Sequence, residues 1–291
     1  MSADTPPPAE RPAGSPSKIS SAIVVCHEPR CMQAEQYRAF RTNLTALNRA
    51  GGPWALVFTS SRKGEGKSVT VANVAGSLAE LPGQRVCLMD VDFRRPAQAD
   101  LLGLPRAPGV SELLQGTHTL QQVVQSTYCS ALDLIASGEE PRSPAELLGC
   151  ERFANLLGEL KRRYSWVLID TPPVHPYTDA CVLAARCNGA VLVVRMEGTS
   201  RDLAQRAMQS IRRAGGKVLG SFLTGLPADR EDADRTGRYH VDRSDPRAPD
   251  RARARHDAER RLKEQEQAWI KKSAKEKPEL PGLPRKEPPK G

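Results

Sequence analysis

The sequence predicts an α/β protein whose mostly parallel sheet is flanked by helices on both faces. Short, continuously apolar segments alternate with longer segments of helical spacing from residue 19 to residue 226. Strands that are apolar along their whole length have both faces buried, which is typical of parallel sheets. Outside this pattern, the chain is rich in Pro, Ala and Ser over 1–18 and in charged residues over 227–291. We therefore expect a folded domain, 19–226, between a disordered leader, 1–18, and a disordered or partly helical tail, 227–291.

The alternation predicts six strands and seven helices in chain order. Strands are expected at 54–59, 85–90, 131–136, 165–170, 189–195 and 217–223. Helices are expected at 33–50, 67–81, 110–115, 119–126, 144–163, 177–185 and 200–214.

Composition limits the possible functions without choosing among them. The net charge of +9 permits a nucleotide, a nucleic acid or an anionic membrane surface as partner, and is equally typical of a basic solvated surface. The seven cysteines are odd in number and form no Cys-x-x-Cys pair, which indicates neither a disulfide framework nor a zinc site. No signal peptide is visible, and no apolar run approaches the roughly 20 residues of a membrane span. We therefore expect a cytoplasmic protein.

The first predicted strand ends in a glycine-rich loop that opens a helix. Glycines let a backbone wrap closely around a phosphate, and the N–H groups at the start of the helix bind the anion. Lys67 is expected to reach the β- and γ-phosphates, and the Ser68 hydroxyl to bind Mg²⁺. The first glycine of the general pattern is replaced by Ser61. The predicted nucleotide-binding residues are Ser61, Arg62, Lys63, Gly64, Glu65, Gly66, Lys67, Ser68 and Val69.

Carboxylates follow two further predicted strands. Asp90 and Asp92 stand two residues apart at the end of 85–90, so both should point towards the phosphate-binding loop. Carboxylates in this place can bind the metal or accept a proton from an attacking hydroxyl. Asp170 ends the apolar strand 165–170, which is the Walker B arrangement and places it at Mg²⁺. The sequence thus predicts a P-loop fold that binds a nucleoside triphosphate together with Mg²⁺.

These motifs together resemble the bacterial tyrosine kinases of polysaccharide synthesis and export, P-loop relatives of the MinD/ParA ATPases. The resemblance covers about residues 28–226. The residues that carry it are Gly64-Glu65-Gly66-Lys67-Ser68, Asp90-x-Asp92-x-Arg94-Arg95-Pro96 and Ile169-Asp170-Thr171-Pro172-Pro173-Val174. The Arg94-Arg95-Pro96 run separates this family from the partition ATPases, and Arg62 stands where those ATPases have their signature lysine.

The resemblance implies a cytoplasmic MgATP-dependent kinase that phosphorylates tyrosines on neighbouring copies. It implies that Lys67 and Ser68 bind phosphate and Mg²⁺, and that Asp90 and Asp170 lie at the metal. It also implies that Asp90 or Asp92 activates the incoming tyrosine; spacing does not choose between them. The activator would be a separate membrane polysaccharide copolymerase that recruits the kinase to the inner face of the cell membrane.

Two further features bear on the acceptor and on assembly. Glu35, Arg38 and Arg41 lie on one face of the predicted helix 33–50 and resemble the Glu-x2-Arg-x2-Arg motif by which these kinases form rings. On spacing alone they favour a stripe of salt bridges along one helix. These kinases normally end in a tyrosine cluster, whereas Tyr239 is the single tyrosine of 227–291 and hence the candidate phosphoacceptor.

Three functions therefore compete. The first is an active tyrosine kinase, which modifies Tyr239 or another protein. The second is a nucleotide-gated assembly protein or pseudokinase that regulates the same apparatus without significant tyrosine transfer. The third is a partition-type ATPase that binds DNA. Positive and negative charges are nearly balanced over 227–291, whereas a nucleic-acid-binding stripe is dominated by Lys and Arg. We therefore expect no nucleic-acid partner.

Overall fold

A computed structural model of the chain describes residues 18–225. Its centre is a seven-stranded sheet in which every pairing is parallel except that of β3 with β4. The strands are β1 (Trp54–Ser60), β2 (Val86–Asp90), β3 (Val124–Ser126), β4 (Leu132–Ile135), β5 (Trp166–Asp170), β6 (Gly189–Arg195) and β7 (Val218–Thr224). Their order across the sheet is β3-β4-β2-β5-β1-β6-β7. The predicted α/β class is confirmed.

Helices cover both faces of this sheet. In the described part of the chain they are α1 (Val24–His27), α2 (Met32–Leu47), α3 (Lys67–Ala79), α4 (Gln98–Leu102), α5 (Val110–Gln115), α6 (Leu120–Val123), α7 (Pro144–Gly149), α8 (Glu151–Arg163), α9 (Asp179–Ala184) and α10 (Arg201–Arg213). Because side chains alternate along a strand, Leu56 and Leu168 pack with α1–α4, whereas Val57 and Ile169 pack with α5–α10.

Two predicted helices differ from the structure. The segment 144–163 is divided at Cys150, whose backbone is extended (φ −73°, ψ 164°), and the preceding Gly149 is a poor helix former. The segment 119–126 is helical only to Val123, after which the backbone turns extended and Val124–Ser126 pairs antiparallel with β4. Tertiary pairing at the sheet edge overrides the local helical pattern here.

The strand order fixes where the functional residues meet. β5 lies between β2 and β1, with Asp90 beside Asp170 and Asp170 beside Phe58 in the register. Parallel strands end at the same edge of a sheet, and ligands of such sheets bind there. The loop after β1 and the carboxylates of β2 and β5 therefore share one edge.

Candidate functional site

The loop between β1 and α3 has the geometry of an anion-binding turn. Gly64 and Gly66 have φ of 85° and 89°, a region that side chains other than glycine rarely adopt. The first helical hydrogen bond of α3 runs from Thr70 N to Gly66 O at 2.9 Å. The N–H groups of residues 67–69 precede that bond, so they are available to a phosphate at the helix N-terminus.

Glu65 holds this loop from inside. Its side chain is buried and accepts hydrogen bonds from Ser61 N at 2.7 Å and Arg62 N at 3.2 Å, and also from the Thr199 hydroxyl. The Thr224 hydroxyl donates to Glu65 O at 2.7 Å. Glu65 is thus a residue that shapes the loop backbone, a role that its position in the motif did not reveal.

Lys67 lies among the carboxylates of the neighbouring strand ends. Its Nζ is 2.7 Å from Asp92 Oδ2 and 3.6 Å from Asp170 Oδ1. Burial acts to lower the pKa of Lys67, but the negative charges of Asp170 and Asp92 outweigh it and raise that pKa. The lysine is therefore fully charged at neutral pH, as a phosphate ligand must be.

Asp90 is completely buried and makes three hydrogen bonds with the backbone that follows it. Its Oδ1 accepts from Asp92 N at 3.0 Å, and its Oδ2 accepts from Ala97 N at 2.9 Å and Gln98 N at 3.0 Å. Burial and the nearby Asp170 charge raise the pKa of Asp90 to about 7. Asp90 therefore fixes the turn that carries Asp92 and positions the start of α4.

Asp170 has one satisfied and one unsatisfied oxygen. Gln98 Nε2 donates to Asp170 Oδ2 at 2.7 Å, whereas Oδ1 is buried and has no hydrogen-bond partner. Burial raises the pKa of Asp170, partly opposed by the charge of Lys67. A buried carboxylate oxygen without a hydrogen bond is costly, and the Lys67 ammonium group 3.6 Å away offsets part of this cost; a metal ion bound to Oδ1 would offset more.

Gln98 is the residue that sequence reasoning missed. It is fully buried and bridges two parts of the site, because its Nε2 also donates to Ser68 O at 3.1 Å. Nothing in the local pattern of Pro96-Ala97-Gln98 marks it, since the bridge depends on the fold that brings α3 and β5 together.

A pocket of about 370 Å³ opens beside these groups. Arg94 forms one wall: it pairs with the buried Asp179 and lies over the Tyr177 ring, 4.1 Å from its centroid. His175 lines the same pocket, and its Nε2 is buried without a hydrogen-bond partner. The residues that line the pocket are Lys63, Gly64, Gly66, Lys67, Ser68, Val69, Asp92, Arg94, Arg95, Pro173, His175, Pro176 and Tyr177.

These residues fit a nucleotide triphosphate with magnesium. The positive φ of the loop glycines, the free N–H groups of α3 and the charged Lys67 suit the phosphates. Mg²⁺ is usually held by one or two carboxylates together with substrate phosphates, and Asp170 Oδ1 and the Ser68 hydroxyl are suitable donors.

Glu35, Arg38 and Arg41 lie far from this pocket. Arg38 pairs with Glu35 at 2.7 Å and with Glu80 at 2.6 Å, and Arg41 pairs with Glu80 at 2.9 Å. Glu80 directly follows α3, whose 13 residues put it about 20 Å from Lys67. The two arginines are thus joined by Glu80, an acid from the end of α3 that the motif did not predict.

Tyr239 lies outside the described residues, so its prediction stands without a structural counterpart. Over residues 18–225, no helix combines the length and the apolar character that crossing a membrane requires.

Comparison with known proteins places the chain among tyrosine kinases. It is 32% identical over 210 residues to the putative tyrosine-protein kinase CapB of Staphylococcus aureus, which covers 72% of this chain and 92% of CapB. It is 32% identical over 209 residues to the tyrosine-protein kinase YwqD of Bacillus subtilis (strain 168), covering 72% and 88%. No protein-family model matches the chain.

Solved structures agree with this result. The crystal structure of the chimerical protein CapA2B2 superposes with a TM-score of 0.68 and 33% identity, covering 72% of this chain and 92% of the other. The cell division ATPase MinD of Pyrococcus furiosus superposes with a TM-score of 0.52 at 20% identity over 62% of this chain and 78% of MinD, which shows a shared fold.

Proposed function

Because this chain belongs to the family of bacterial tyrosine-protein kinases of capsule and exopolysaccharide systems, we propose that it transfers the γ-phosphoryl group of MgATP to protein tyrosines. The observation that carries this proposal is the position of Lys67. Its ammonium group stands at the N-terminus of α3 between Asp92 and Asp170, where the phosphates and the attacking hydroxyl have to meet.

Each strand end contributes one part of the donor site. Lys67 and the N–H groups of residues 67–69 would bind and orient the phosphates, while Ser68 and Asp170 would hold Mg²⁺, with Asp90 beside them. Magnesium bound there would neutralise the negative charge that develops on the phosphate oxygens during the transfer. Gln98 keeps the Asp170 carboxylate in the orientation that leaves Oδ1 open.

Asp92 is the better candidate for the general base. Asp90 is completely buried, and it is not among the residues that line the pocket. Asp92 is also buried and its oxygens contact Arg95 N and Lys67 Nζ, but it lines the pocket, where an acceptor hydroxyl can approach. In the transfer, the tyrosine oxygen bonds to the γ-phosphorus and the bond from that phosphorus to the β,γ-bridging oxygen breaks. ADP leaves, and the proton of the hydroxyl passes to Asp92.

Nucleotide binding and base activation are linked through one ion pair. Without phosphates, Lys67 neutralises Asp92 at 2.7 Å. A bound triphosphate competes for Lys67 and thereby frees the Asp92 carboxylate to accept a proton. This exchange makes the base available only when the donor is present, which limits unproductive chemistry.

The proposal also includes the assembly and the partners expected from the family. Glu35, Arg38 and Arg41 would contact a neighbouring copy in a ring, and a membrane polysaccharide copolymerase would recruit and activate the kinase at the cytoplasmic face of the membrane. Tyr239, or a tyrosine of another protein, would accept the phosphoryl group.

A labelled-ATP assay tests the transfer. The full-length protein with MgATP and a tyrosine-containing polymer should yield phosphotyrosine, with and without the copolymerase of the same apparatus. Lys67→Met should reduce the transfer at least a hundredfold, because the phosphates lose their charged ligand. Asp92→Asn should reduce the transfer while it leaves the affinity for an ATP analogue within about threefold. Absence of phosphotyrosine under all conditions, with MgATP binding intact, would contradict the kinase proposal.

That last outcome would favour the second candidate, a nucleotide-gated regulator of the same apparatus. The Lys67–Asp92 ion pair is the observation that favours this candidate. If the pair remained when nucleotide binds, Lys67 would keep Asp92 neutralised and Asp92 could not act as the base. Under this candidate, MgATP changes the assembly state of the protein, as measured by light scattering, and no phosphotyrosine appears.

A further inference from the structure

Besides Lys67, three positively charged side chains stand at the mouth of the nucleotide pocket. Lys63, Arg94 and Arg95 all line it. Arg94 is paired with Asp179, but the exposed side chains of Lys63 and Arg95 make no hydrogen bond or ion pair with any part of the chain that the structure describes. Two uncompensated cations therefore stand at the entrance.

Arg95 is held next to the proposed base. Its backbone N–H donates to Asp92 O at 3.0 Å and to Asp92 Oδ1 at 3.2 Å, which closes a short turn. The side chain of Arg95 therefore leaves the backbone three residues after Asp92, and it lines the same pocket as the proposed base.

Arg95 comes from a different part of the chain than the phosphate-binding loop. It follows β2, whereas that loop follows β1, and β5 lies between the two strands. The two parts meet at Asp92, whose Oδ2 is 2.7 Å from Lys67 Nζ and whose Oδ1 accepts from Arg95 N at 3.2 Å. Lys67 and the N-terminus of α3 are the groups assigned to the phosphates, and the Arg95 side chain is the exposed cation beside them in the same pocket.

The same pocket also has an apolar part that suits an aromatic ring. Pro173, Pro176 and Tyr177 belong to its lining, and the Arg94 guanidinium covers one face of the Tyr177 ring, 4.1 Å from its centroid. A tyrosine side chain can pack against the two prolines while the residues that flank it contact Arg95 and Lys63.

We propose that Arg95, supported by Lys63, selects acceptor tyrosines that are flanked by Asp or Glu. This inference rests on the proposed kinase function and names its substrate class. Complementary charge at such a site improves both the encounter rate and the choice between partners. Tyr239 is flanked by Arg238 and His240. The proposal therefore makes Tyr239 a weak acceptor and points to an acidic tyrosine segment of another polypeptide.

The test compares three dye-labelled peptides with one central tyrosine and flanks of Asp/Glu, Asn/Gln or Lys. Their binding to the full-length protein is measured by fluorescence anisotropy at physiological salt, with Mg²⁺ and a non-hydrolysable ATP analogue present. We expect the acidic peptide to bind about tenfold more tightly than the neutral one. Arg95→Glu should lower the ratio of the affinities for the acidic and the neutral peptide by about fivefold or more, because residue 95 then repels the acidic flanks instead of attracting them. Because Arg95 lines the nucleotide pocket, the affinity for the ATP analogue is measured in parallel and all peptides are compared at saturating analogue, so that the ratio between peptides does not depend on nucleotide affinity.

Arg49→Glu is the matched control. Arg49 is exposed and unpaired within the described chain, and it lies before β1, at the opposite edge of the sheet. It should leave the peptide preference unchanged. Equal binding of the three peptides to the wild type, or the same loss in both variants, overturns the inference.

Phosphotransfer to the same peptides distinguishes this inference from the kinase function. Transfer with no preference for acidic flanks overturns the role of Arg95 and leaves the kinase proposal in place. Tight binding of the acidic peptide without transfer overturns the kinase proposal, while the charge preference stands. A higher kcat/KM for the acidic peptide that Arg95→Glu removes supports both.

Discussion

The two ionic clusters of the molecule differ mainly in burial, and this difference separates chemistry from assembly. Around Lys67, the carboxylates of Asp90 and Asp170 are completely buried, and burial raises the pKa of both. Around Arg38, the side chains of Glu35 and Glu80 are 59% and 34% exposed. Water screens the second cluster but not the first.

Burial determines what each cluster costs the fold. Charges removed from water are expensive, and a buried carboxylate is retained against that cost where a cation or a reaction needs it. Exposed ion pairs contribute about 0 to 1 kcal/mol each, so their partners can be exchanged with little loss. The buried cluster is therefore suited to hold metal and phosphate. In the exposed cluster, Arg38 and Arg41 can exchange Glu80 for an acidic group of a neighbouring molecule.

Among the substitutions in the two clusters, Asp170→Asn should have the largest effect, and that effect is on MgATP binding and transfer. The variant keeps an oxygen for Gln98 but loses the charge at the unsatisfied Oδ1 position, so MgATP affinity and transfer should fall at least a hundredfold. The nucleotide-free protein should become more stable by about 1 kcal/mol at pH 8, because a buried charge is removed. Denaturant unfolding and titration with an ATP analogue measure the two effects.

The exposed Asp202, in the first turn of α10, provides the control for Asp170→Asn. Asp202→Asn should leave MgATP affinity unchanged. A variant at Asp170 that loses stability and keeps MgATP affinity would show that the carboxylate is structural.

Gln98→Leu should have the next largest effect. The substitution removes the hydrogen bonds to Asp170 Oδ2 and Ser68 O without a large change in volume. Unsatisfied buried acceptors cost about 1–3 kcal/mol of unfolding free energy, and loss of a residue that orients a metal ligand lowers metal affinity about tenfold or more. Thermal unfolding and Mg²⁺-dependent nucleotide binding check both. Gln121→Leu, at an exposed position, should change neither the unfolding free energy nor nucleotide binding.

Gln98 also shows how far the sequence could predict the site. The loop at 61–69, Asp92 and Asp170 were predictable because each follows a strand directly and each motif has its own chemistry. Gln98 and Asp179 were not, because their partners are brought near by the order β2-β5-β1 and by the start of α9. The strand Val124–Ser126 was missed because its extended backbone depends on pairing with β4, whose partner residues lie seven to eleven positions further along the chain.

The pH dependence of stability also tests the difference between the buried cluster around Lys67 and the exposed cluster around Arg38. The pKa of Asp90 is raised to about 7 in the fold from an ordinary value of 3.8, and that of Asp170 is raised as well. Between about pH 4 and pH 7 the folded state holds a proton that the unfolded state has released, so stability falls as pH rises through this window. The nucleotide-free protein should lose on the order of 1 kcal/mol between pH 5 and pH 8. Unfolding in urea measures this slope.

Asp170→Asn should flatten this slope, since it removes one member of the coupled pair and the repulsion that raises the pKa of Asp90. The exposed cluster contributes nothing in this window: the pKa of Glu80 is lowered, chiefly by its hydrogen bond to Arg38, so its contribution is lost only at more acidic pH. Stability that rises from pH 5 to pH 8 would argue against shared protonation of Asp90 and Asp170.

Among these substitutions, Glu80→Gln should have the smallest effect on stability, but it should change the assembly of the protein. Arg38 and Arg41 lose their shared carboxylate, which costs less than about 1 kcal/mol because the group is one-third exposed. Arg38 keeps its pair with Glu35 and Arg41 keeps its hydrogen bond to Ser77 O, but Glu80 no longer competes with a neighbouring copy for them. The mass measured by light scattering with MgATP should therefore rise.

Glu159→Gln is a suitable comparison for Glu80→Gln, because Glu159 forms an exposed pair with Arg163 within α8. It should cost a similar small amount of stability and leave the mass unchanged. If Glu80→Gln instead lowers the mass, Glu80 is itself part of the contact between copies. If both variants behave alike, Arg38 and Arg41 are held by Glu80 for the fold alone, and the assembly surface lies elsewhere.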